Sequence, residues 1–381
     1  MKIDKKMDDL MKNNRKEGFI SPFAIHPGET IKEALDFKAI TQNELAIRSG
    51  LTPVSINRIL KGQQPVTLES AIKFERALGL SHELLLGLQS QYDSDKFRLE
   101  EISILESEIK LLDKYGCYQE LSKLGFVSDT KDKIKMVKEL LRFFGVNSLF
   151  SIKDIFPFAF VSFKRSLKKK IKEESLAAWL RIGDIKAQNR MVAEFDREKL
   201  LDNIKKMRSL TRYNPEVYSQ ELVELCAEAG VILVYTPHLK NTCVNGAARW
   251  ISPNKALIQV SLYYAYADIF WFTLFHELGH IVKHSKKDTF IEFEKYIDKD
   301  NKEEEEANIF AARVFIPYEK EGDYELLKKT INKNNYITKI EDFSNSLGID
   351  KGIVAGRIGK EMNIWRYIPS LRNRLKFSYN N

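Results

Sequence analysis

The segment Phe270–His280, FWFTLFHELGH, constrains this chain more than any other, because an apolar run leads directly into two histidines and a glutamate. Apolar residues on several sides of a helix predict that the helix is buried. Polar groups in a buried helix destabilise the fold unless they have partners. The segment therefore predicts a buried helix, from about Asp268 to Lys283, that carries a polar site.

Two histidines separated by four residues, His276 and His280, lie on one face of a helix, one turn apart. In this pattern, HExxH, the two imidazoles share a Zn²⁺ ion, and Glu277 acts as general base towards a zinc-bound water. With two histidines and one carboxylate bound, a fourth position stays open for water, as in catalytic zinc sites. The pattern thus predicts a zinc-dependent peptidase centre.

The third metal ligand must come from another element, and the acidic run Glu303–Glu306 supplies candidates. We expect Glu306 to be the ligand, because it shares a helical stripe with Phe310 and Val314. Glu303 and Glu304 stay open as alternatives. The other carboxylates of the run fit a solvated first turn, where negative charge favours the helix dipole.

Five further residues have candidate roles. His284 continues the spacing from His280, and we expect it behind the ligands or at the surface. Tyr263, Tyr264 and Arg249 are candidate partners for an oxyanion, and Cys243 is a candidate redox-sensitive cap on the metal. We also expect the strand at Gly246–Trp250 to present a sheet edge to an extended peptide.

The residues from 26 to 92 predict five short helices, each begun or ended by a Gly, Pro, Ser or Thr signal. A helix that begins at Thr41 ends at Gly50, and a second begins at Thr52-Pro53, which is the pattern of a helix-turn-helix. In the second of these helices, Ile56, Ile59 and Leu60 lie on the face that we expect to pack in the core. The candidate DNA contacts are Gln42, Thr52, Ser55, Asn57, Arg58 and Lys61.

Charge and composition narrow the protein class. The 381 residues carry a net charge of +8, yet residues 1–95 are net neutral, and residues 96–200 carry most of the surplus with 22 basic and 16 acidic side chains. The lysines at 164–170 fit contacts to DNA phosphates or a soluble connector.

Three scattered cysteines do not form a disulfide framework, and no apolar run reaches the length of a membrane span. We expect a cytoplasmic protein.

These motifs resemble two known families. HPGETIKEAL, TQNELAIRSGLTPVSINRILKG and LGLSHELLLGLQSQYD resemble the helix-turn-helix domain of HigA-type antitoxins in the Xre family. FWFTLFHELGHIVKH followed by EEEEANIFAARVFIP resembles the ImmA/IrrE metallopeptidases, as does GAARWISPNKALIQVSL before the zinc helix. This second resemblance implies that His276, His280 and Glu306 hold zinc and that Glu277 is the base.

We therefore expect a mainly α chain with a small sheet (α+β): a five-helix helix-turn-helix domain, a helical connector and a zincin-like domain. The family resemblance implies binding to double-stranded operator DNA as a homodimer. A repressor substrate or a toxin is the expected protein partner. A non-enzymatic antitoxin, whose zinc domain is a sensor or a toxin-binding surface, is the alternative. The expected segments are a charged arm (1–20), the DNA-binding domain (21–93), a basic connector (94–200), the peptidase domain (201–335) and a helical extension (336–381).

Overall fold

The computed structural model describes residues 23–156, 172–261, 263, 265–284, 289–293 and 302–375, with residues 289–293 described by their backbone. The chain separates into two compact units, residues 1–110 and 111–381. Both are mainly helical, and the second also contains a small sheet, which confirms the predicted α+β class. The finer division into five segments stays a prediction; one helix, His82–Glu108, runs across the expected boundary between residues 93 and 94.

The first unit contains the five helices that the sequence predicts. Each of the last three begins at a Thr or Ser side chain that accepts a hydrogen bond from the backbone of the first turn. Their apolar faces form one core around Ile31, Leu45, Ile56 and Phe74. The helices are α1 (Gly28–Lys38), α2 (Gln42–Ser49), α3 (Pro53–Leu60), α4 (Leu68–Leu78) and α5 (His82–Glu108).

The turn between α2 and α3 follows from its capping residues. Thr41 caps α2 by accepting from the Glu44 amide, and Gly50 ends that helix with a φ of +65°. Thr52 then caps α3 through the Ser55 amide, and Pro53 occupies the first helical position. The predicted helix-turn-helix is present.

The start of α1 packs against the end of α3. A Cβ atom added to Gly28 would lie 2.4 Å from the Ile59 carbonyl oxygen, so only glycine allows this approach. The Gly28 amide donates to the His26 imidazole, and the ring of His26 packs on Tyr92 of α5. The HPGE sequence thus holds the C-terminal end of α3 in place.

The second unit places helices around the sheet. Its helices are α6 (Tyr118–Lys123), α7 (Lys133–Phe144), α8 (Ile152–Ile155), α9 (Glu173–Gln188), α10 (Arg197–Ser209), α11 (Pro215–Ala227), α12 (Ala267–Lys283), α13 (Lys302–Phe315), α14 (Glu321–Thr330), α15 (Tyr336–Leu347) and α16 (Lys351–Met362). The strands are β1 (Val231–Tyr235), β2 (Val244–Ser252), β3 (Lys255–Val260) and β4 (Thr289–Phe293).

The sheet has the strand order β1-β3-β2-β4, in which β1 and β3 are parallel and the other pairs are antiparallel. The first three strands lie where the sequence predicts them. The fourth is not predicted, and it pairs with β2 on the side away from β3. The expectation that Gly246–Trp250 forms a sheet edge is therefore wrong, because β2 has a neighbour on both sides.

The largest core of the second unit surrounds α12. Trp271, Leu274, Phe275 and Leu278 of this helix are fully buried among residues of α11, α13, α16 and the sheet. The predicted buried helix is confirmed. Among the described residues, no helix is long and apolar enough to cross a membrane.

Candidate metal centre and nucleic-acid interface

The two histidines and the glutamate of the HELGH sequence lie inside the core of the second unit. His276 and His280 are each 1% exposed, and Glu277 is completely buried. The Nε2 atoms of the two imidazoles are 2.9 Å apart, because residues one helical turn apart lie on the same face of the helix. Helix α12 therefore presents both donors to one point.

Helix α13 approaches this point because small residues lie at its contact with α12. A Cβ atom added to Gly279 would lie 3.3 Å from the Ala307 Cα atom and 3.0 Å from the Phe310 ring. Ala307, Ala311 and Phe315 form the buried stripe of α13. The close contact brings the acidic first turn of α13 to the histidines.

Glu304 is the carboxylate that meets the two imidazoles. Its Oε2 atom is 3.3 Å from His276 Nε2, and its Oε1 atom is 3.4 Å from His280 Nε2. One donor atom from each of these three residues lies within 4.8 Å of the others. Two imidazole nitrogens and a carboxylate oxygen are the donors that catalytic zinc sites use, so the residues fit a zinc ion.

The structure does not bring Glu306 to this cluster. Its carboxylate lies 3.3 Å from His284 Nε2 instead. The physical reason is the phase of α13: Glu304 precedes the buried Ala307 by three residues, whereas Glu306 points about 200° further around the helix. Phe310 and Val314, which suggested Glu306, are only partly buried.

Further contacts orient the imidazoles from behind. The Nδ1 atom of His276 lies 3.2 Å from the Asn308 side-chain oxygen, and the Nδ1 atom of His280 lies 2.9 Å from His284. Glu306, His284 and His280 thus form a chain of contacts that ends at the cluster. Such outer partners fix the orientation and tautomer of ligating histidines.

Burial and mutual contacts set the protonation of the cluster. Burial lowers the pKa of His280 to about 4, although the neighbouring Glu304 opposes the shift. Burial alone would raise the pKa of Glu304, but hydrogen bonds from His276 and His280 hold it well below its usual value. At neutral pH, His280 is neutral and Glu304 is ionised, which are the forms that bind a metal.

Glu277 lies against β2, where Gly246 leaves room for it. A Cβ atom added to Gly246 would lie 2.6 Å from the Glu277 Oε1 atom and 2.6 Å from the Thr273 methyl group. Any other residue at position 246 would displace the carboxylate or the strand. Gly246 therefore positions Glu277, a role that the motifs do not predict, because the two residues are far apart in sequence.

The candidate oxyanion partners that the structure describes and the candidate cysteine cap make contacts other than those that the sequence suggests. Arg249 donates to Asp184 and to the Leu180 carbonyl of α9, because odd and even positions of β2 face opposite sides of the sheet. The Cys243 sulfur lies 3.7 Å from the Tyr263 hydroxyl, and the described metal-binding cluster does not include it. Tyr264 and the lysines at 164–170 lie outside the described residues.

The candidate DNA contacts share the surface around α3 in the first unit. Gln42, Asn57, Arg58 and Lys61 are exposed, and none of them belongs to the buried face. Thr52 is exposed and Ser55 half-buried, and their hydroxyl groups hydrogen-bond to each other in the cap. The helix therefore presents an amide, a guanidinium and an ammonium group to solvent, while its cap orients the first turn.

Comparisons with known proteins agree with both sites. Residues 31–85 match the helix-turn-helix family, and residues 268–348 match the IrrE N-terminal-like domain of the M78 peptidases. The uncharacterized HTH-type transcriptional regulator YddM of Escherichia coli K12 is 33% identical over 66 residues, which are 17% of this chain and 70% of that protein.

Two solved structures resemble the first unit in sequence. A HigA-family addiction module antidote protein from Coxiella burnetii is 29% identical, with a TM-score of 0.21, and the match covers 22% of this chain and 94% of that one. A protein from Nostoc punctiforme, described as a candidate antidote of a plasmid maintenance system, is 31% identical, with the same TM-score over 22% and 91%. Because both TM-scores are below 0.5, we base the family assignment on the sequence matches.

The chain thus belongs to the Xre-type helix-turn-helix transcriptional regulators, whose DNA-binding domain it joins to an IrrE-like peptidase domain.

Two of the acidic residues of α13, Glu304 and Glu306, should contribute unequally to metal binding. We expect Glu304→Gln to weaken Zn²⁺ binding by more than about 100-fold, beyond the range of outer contacts, because it removes a ligand. Glu306→Gln should weaken it by about tenfold or less, because it acts only through His284. Competition with a chromophoric chelator measures both affinities, and the reverse order would restore Glu306 as the ligand.

Proposed function

We propose that the protein is a DNA-binding transcriptional regulator whose second unit is a zinc-dependent endopeptidase that cleaves a regulatory protein. One observation carries the proposal: the two HELGH imidazoles and Glu304 converge beside a buried Glu277. A metal site that only stabilised the fold would have a fourth protein ligand and no need of an adjacent acid. The family match at residues 268–348 supports the same chemistry.

His276, His280 and Glu304 would hold the metal, which supplies Lewis-acid activation of water and of a peptide carbonyl. Glu277 accepts the proton of the attacking water and returns it to the leaving amine. Gly246 leaves room for the Glu277 carboxylate beside the ligands. Asn308 and His284 hold the orientation of the His276 and His280 imidazoles. Burial of all three polar residues of HELGH excludes bulk water from this machinery.

Strand β4, rather than β2, is the candidate docking edge for an extended peptide. It is the last strand in the order of the described sheet, and its Glu292 is paired with Gly246, the neighbour of Glu277. A peptide that adds to a sheet edge gains main-chain hydrogen bonds without any requirement on its sequence. This arrangement would hold a scissile bond in an extended conformation near the metal centre.

The first unit would bring the enzyme to an operator. Exposed donors on α3 suit the major groove, and helix-turn-helix proteins bind two-fold operators as dimers. We therefore propose a cytoplasmic homodimer that regulates transcription as a repressor of the antitoxin type. The protein partner would be a repressor substrate or a toxin, in keeping with the HigA-type resemblance of this unit.

Removal of the base should abolish cleavage and leave metal binding intact. We expect Glu277→Gln to lower the cleavage rate by about 10²–10⁴-fold, because proton transfer contributes that much, with unchanged zinc content. Cleavage of the proteins encoded beside this gene, followed by electrophoresis and mass spectrometry, measures the rate. Glu319→Gln, an exposed change on the same unit, is the matched control and should cleave like the wild type.

The proposed peptidase activity would be contradicted if the wild type and Glu277→Gln both bound zinc, cleaved no protein and had the same phenotype. That result would favour the alternative function, in which the metal domain is a sensor or a toxin-binding surface.

Arg58 should contribute to operator recognition. If its guanidinium contacts a guanine, Arg58→Ala weakens specific binding by about 1–3 kcal/mol. Arg76→Ala removes the same charge from an exposed position on α4 and is the control for a general loss of positive charge. Titration of a fluorescent operator fragment at fixed salt measures both, and equal affinities for the two variants would place Arg58 outside the interface.

A further inference from the structure

His26 lies where three parts of the first unit meet: the start of α1, the turn that follows α3, and α5. Its side chain is buried, and the residue is 8% exposed. The rings of His26 and Tyr92 of α5 meet edge to face, with 4.8 Å between their centroids. Gly62, in the turn after α3, has a φ of +68°, and a Cβ atom added there would lie 3.4 Å from the His26 ring. The imidazole thus connects this turn to α5.

The neutral imidazole fits its place through both of its nitrogens. Nδ1 accepts a hydrogen bond from the buried Gly28 amide at 3.0 Å. The ring also has a hydrogen bond to the Gln64 backbone that favours its charged form, so the ring is the donor of that bond. A neutral histidine has one donor and one acceptor nitrogen, so Nε2 carries the proton. A second proton would go to Nδ1, where it would face the Gly28 N–H group and break that hydrogen bond.

A change at Gly28 acts on α3, because the backbones of the two helices are in close contact there. A Cβ atom added to Gly28 would lie 2.4 Å from the Ile59 carbonyl oxygen. The turn after α3 is itself bonded to that helix, since the Gln63 amide donates to the Arg58 carbonyl at 2.8 Å. Displacement of the imidazole therefore acts on the end of the helix that carries Arg58.

Burial and the charges around the ring set the pH at which it takes a second proton. Burial has the largest effect and lowers the pKa of His26; Lys32 of α1 acts in the same direction, whereas Asp93 of α5 and Glu29 of α1 oppose it. The pKa therefore stays below its ordinary value of about 6.5. The native contact is stabilised fully above about pH 6.5, and this stabilisation is lost as the pH falls from there through the lowered pKa.

We propose that His26 is a proton switch of operator binding: a second proton on its ring loosens the contact between α1 and the end of α3 and weakens the affinity for the operator. This role rests on the proposed function, in which α3 contacts the operator. The expected direction is opposite to that of simple electrostatics, because an added positive charge alone strengthens attraction to DNA phosphates. Weaker binding in acid therefore distinguishes the switch from a general effect of charge.

Operator affinity at two pH values tests the switch. The probe is a fluorescent duplex that the wild-type full chain selects from a pool of random DNA at about pH 7.5, where the imidazole is neutral. At fixed salt, the wild type should bind this duplex at least about fivefold more weakly at about pH 5, because the broken hydrogen bond leaves the buried Gly28 amide unsatisfied. His26→Asn should change by less than about twofold, because an asparagine side chain also accepts from the amide two residues on and does not titrate.

His82→Asn is the matched control, because His82 is the other histidine of residues 1–110 and its imidazole pairs with Glu75 of α4 instead. It should keep the pH dependence of the wild type. Circular dichroism at both pH values verifies that each variant is folded. Equal pH dependence in the wild type and His26→Asn, or tighter binding by the wild type in acid, would overturn the switch and leave operator binding standing. If the wild type selects no duplex, operator binding is overturned, and the switch with it.

A second measurement needs no substitution. In the isotopically labelled wild-type chain, nuclear magnetic resonance should show the His26 ring taking up its proton below about pH 6.5. The Gly28 amide signal should shift with the same midpoint, because that amide loses its acceptor. A Gly28 signal that stays in place while His26 becomes protonated would overturn the switch.

Discussion

The second unit depends on one constraint: two imidazoles and two carboxylates must be accommodated where an apolar helix crosses a core. Helix α12 cannot leave the core, because Trp271, Phe275 and Leu278 hold it there. Its two histidines are therefore partnered by a second helix, because Glu304 of α13 meets both of them. A metal ion satisfies the same donors with a positive charge, so stability of the fold and chemistry at the site have the same structural basis.

Small residues determine how closely the elements can approach this site. Gly279 lets α13 lie against α12, and Gly246 lets β2 lie against Glu277. In the first unit, Gly28 has the same role, because it lets α1 reach the end of α3. In each case the missing Cβ atom allows two elements to approach each other closely.

Local spacing in the sequence predicted much of this structure. The capped turn from Thr41 to Pro53, the first three strands and the paired histidines each depend on residues close in sequence, and all are present. The identity of the third ligand was not predictable in this way. Four consecutive glutamates differ only in helix phase, and the small Ala307 and Ala311, rather than the larger Phe310, mark the buried face. Strand β4 depends on pairing with a distant strand, so the sequence around it gave no signal strong enough to predict it.

The central claim, a metal centre built from α12 and α13, is tested most directly by anomalous diffraction at the zinc edge from crystals of the full chain grown with zinc. We expect a single strong peak bonded to the Nε2 atoms of His276 and His280 and to a carboxylate oxygen of Glu304, at about 2.0–2.2 Å. The account would be contradicted by the absence of a peak between these residues, or by a peak bonded to Glu306 in place of Glu304.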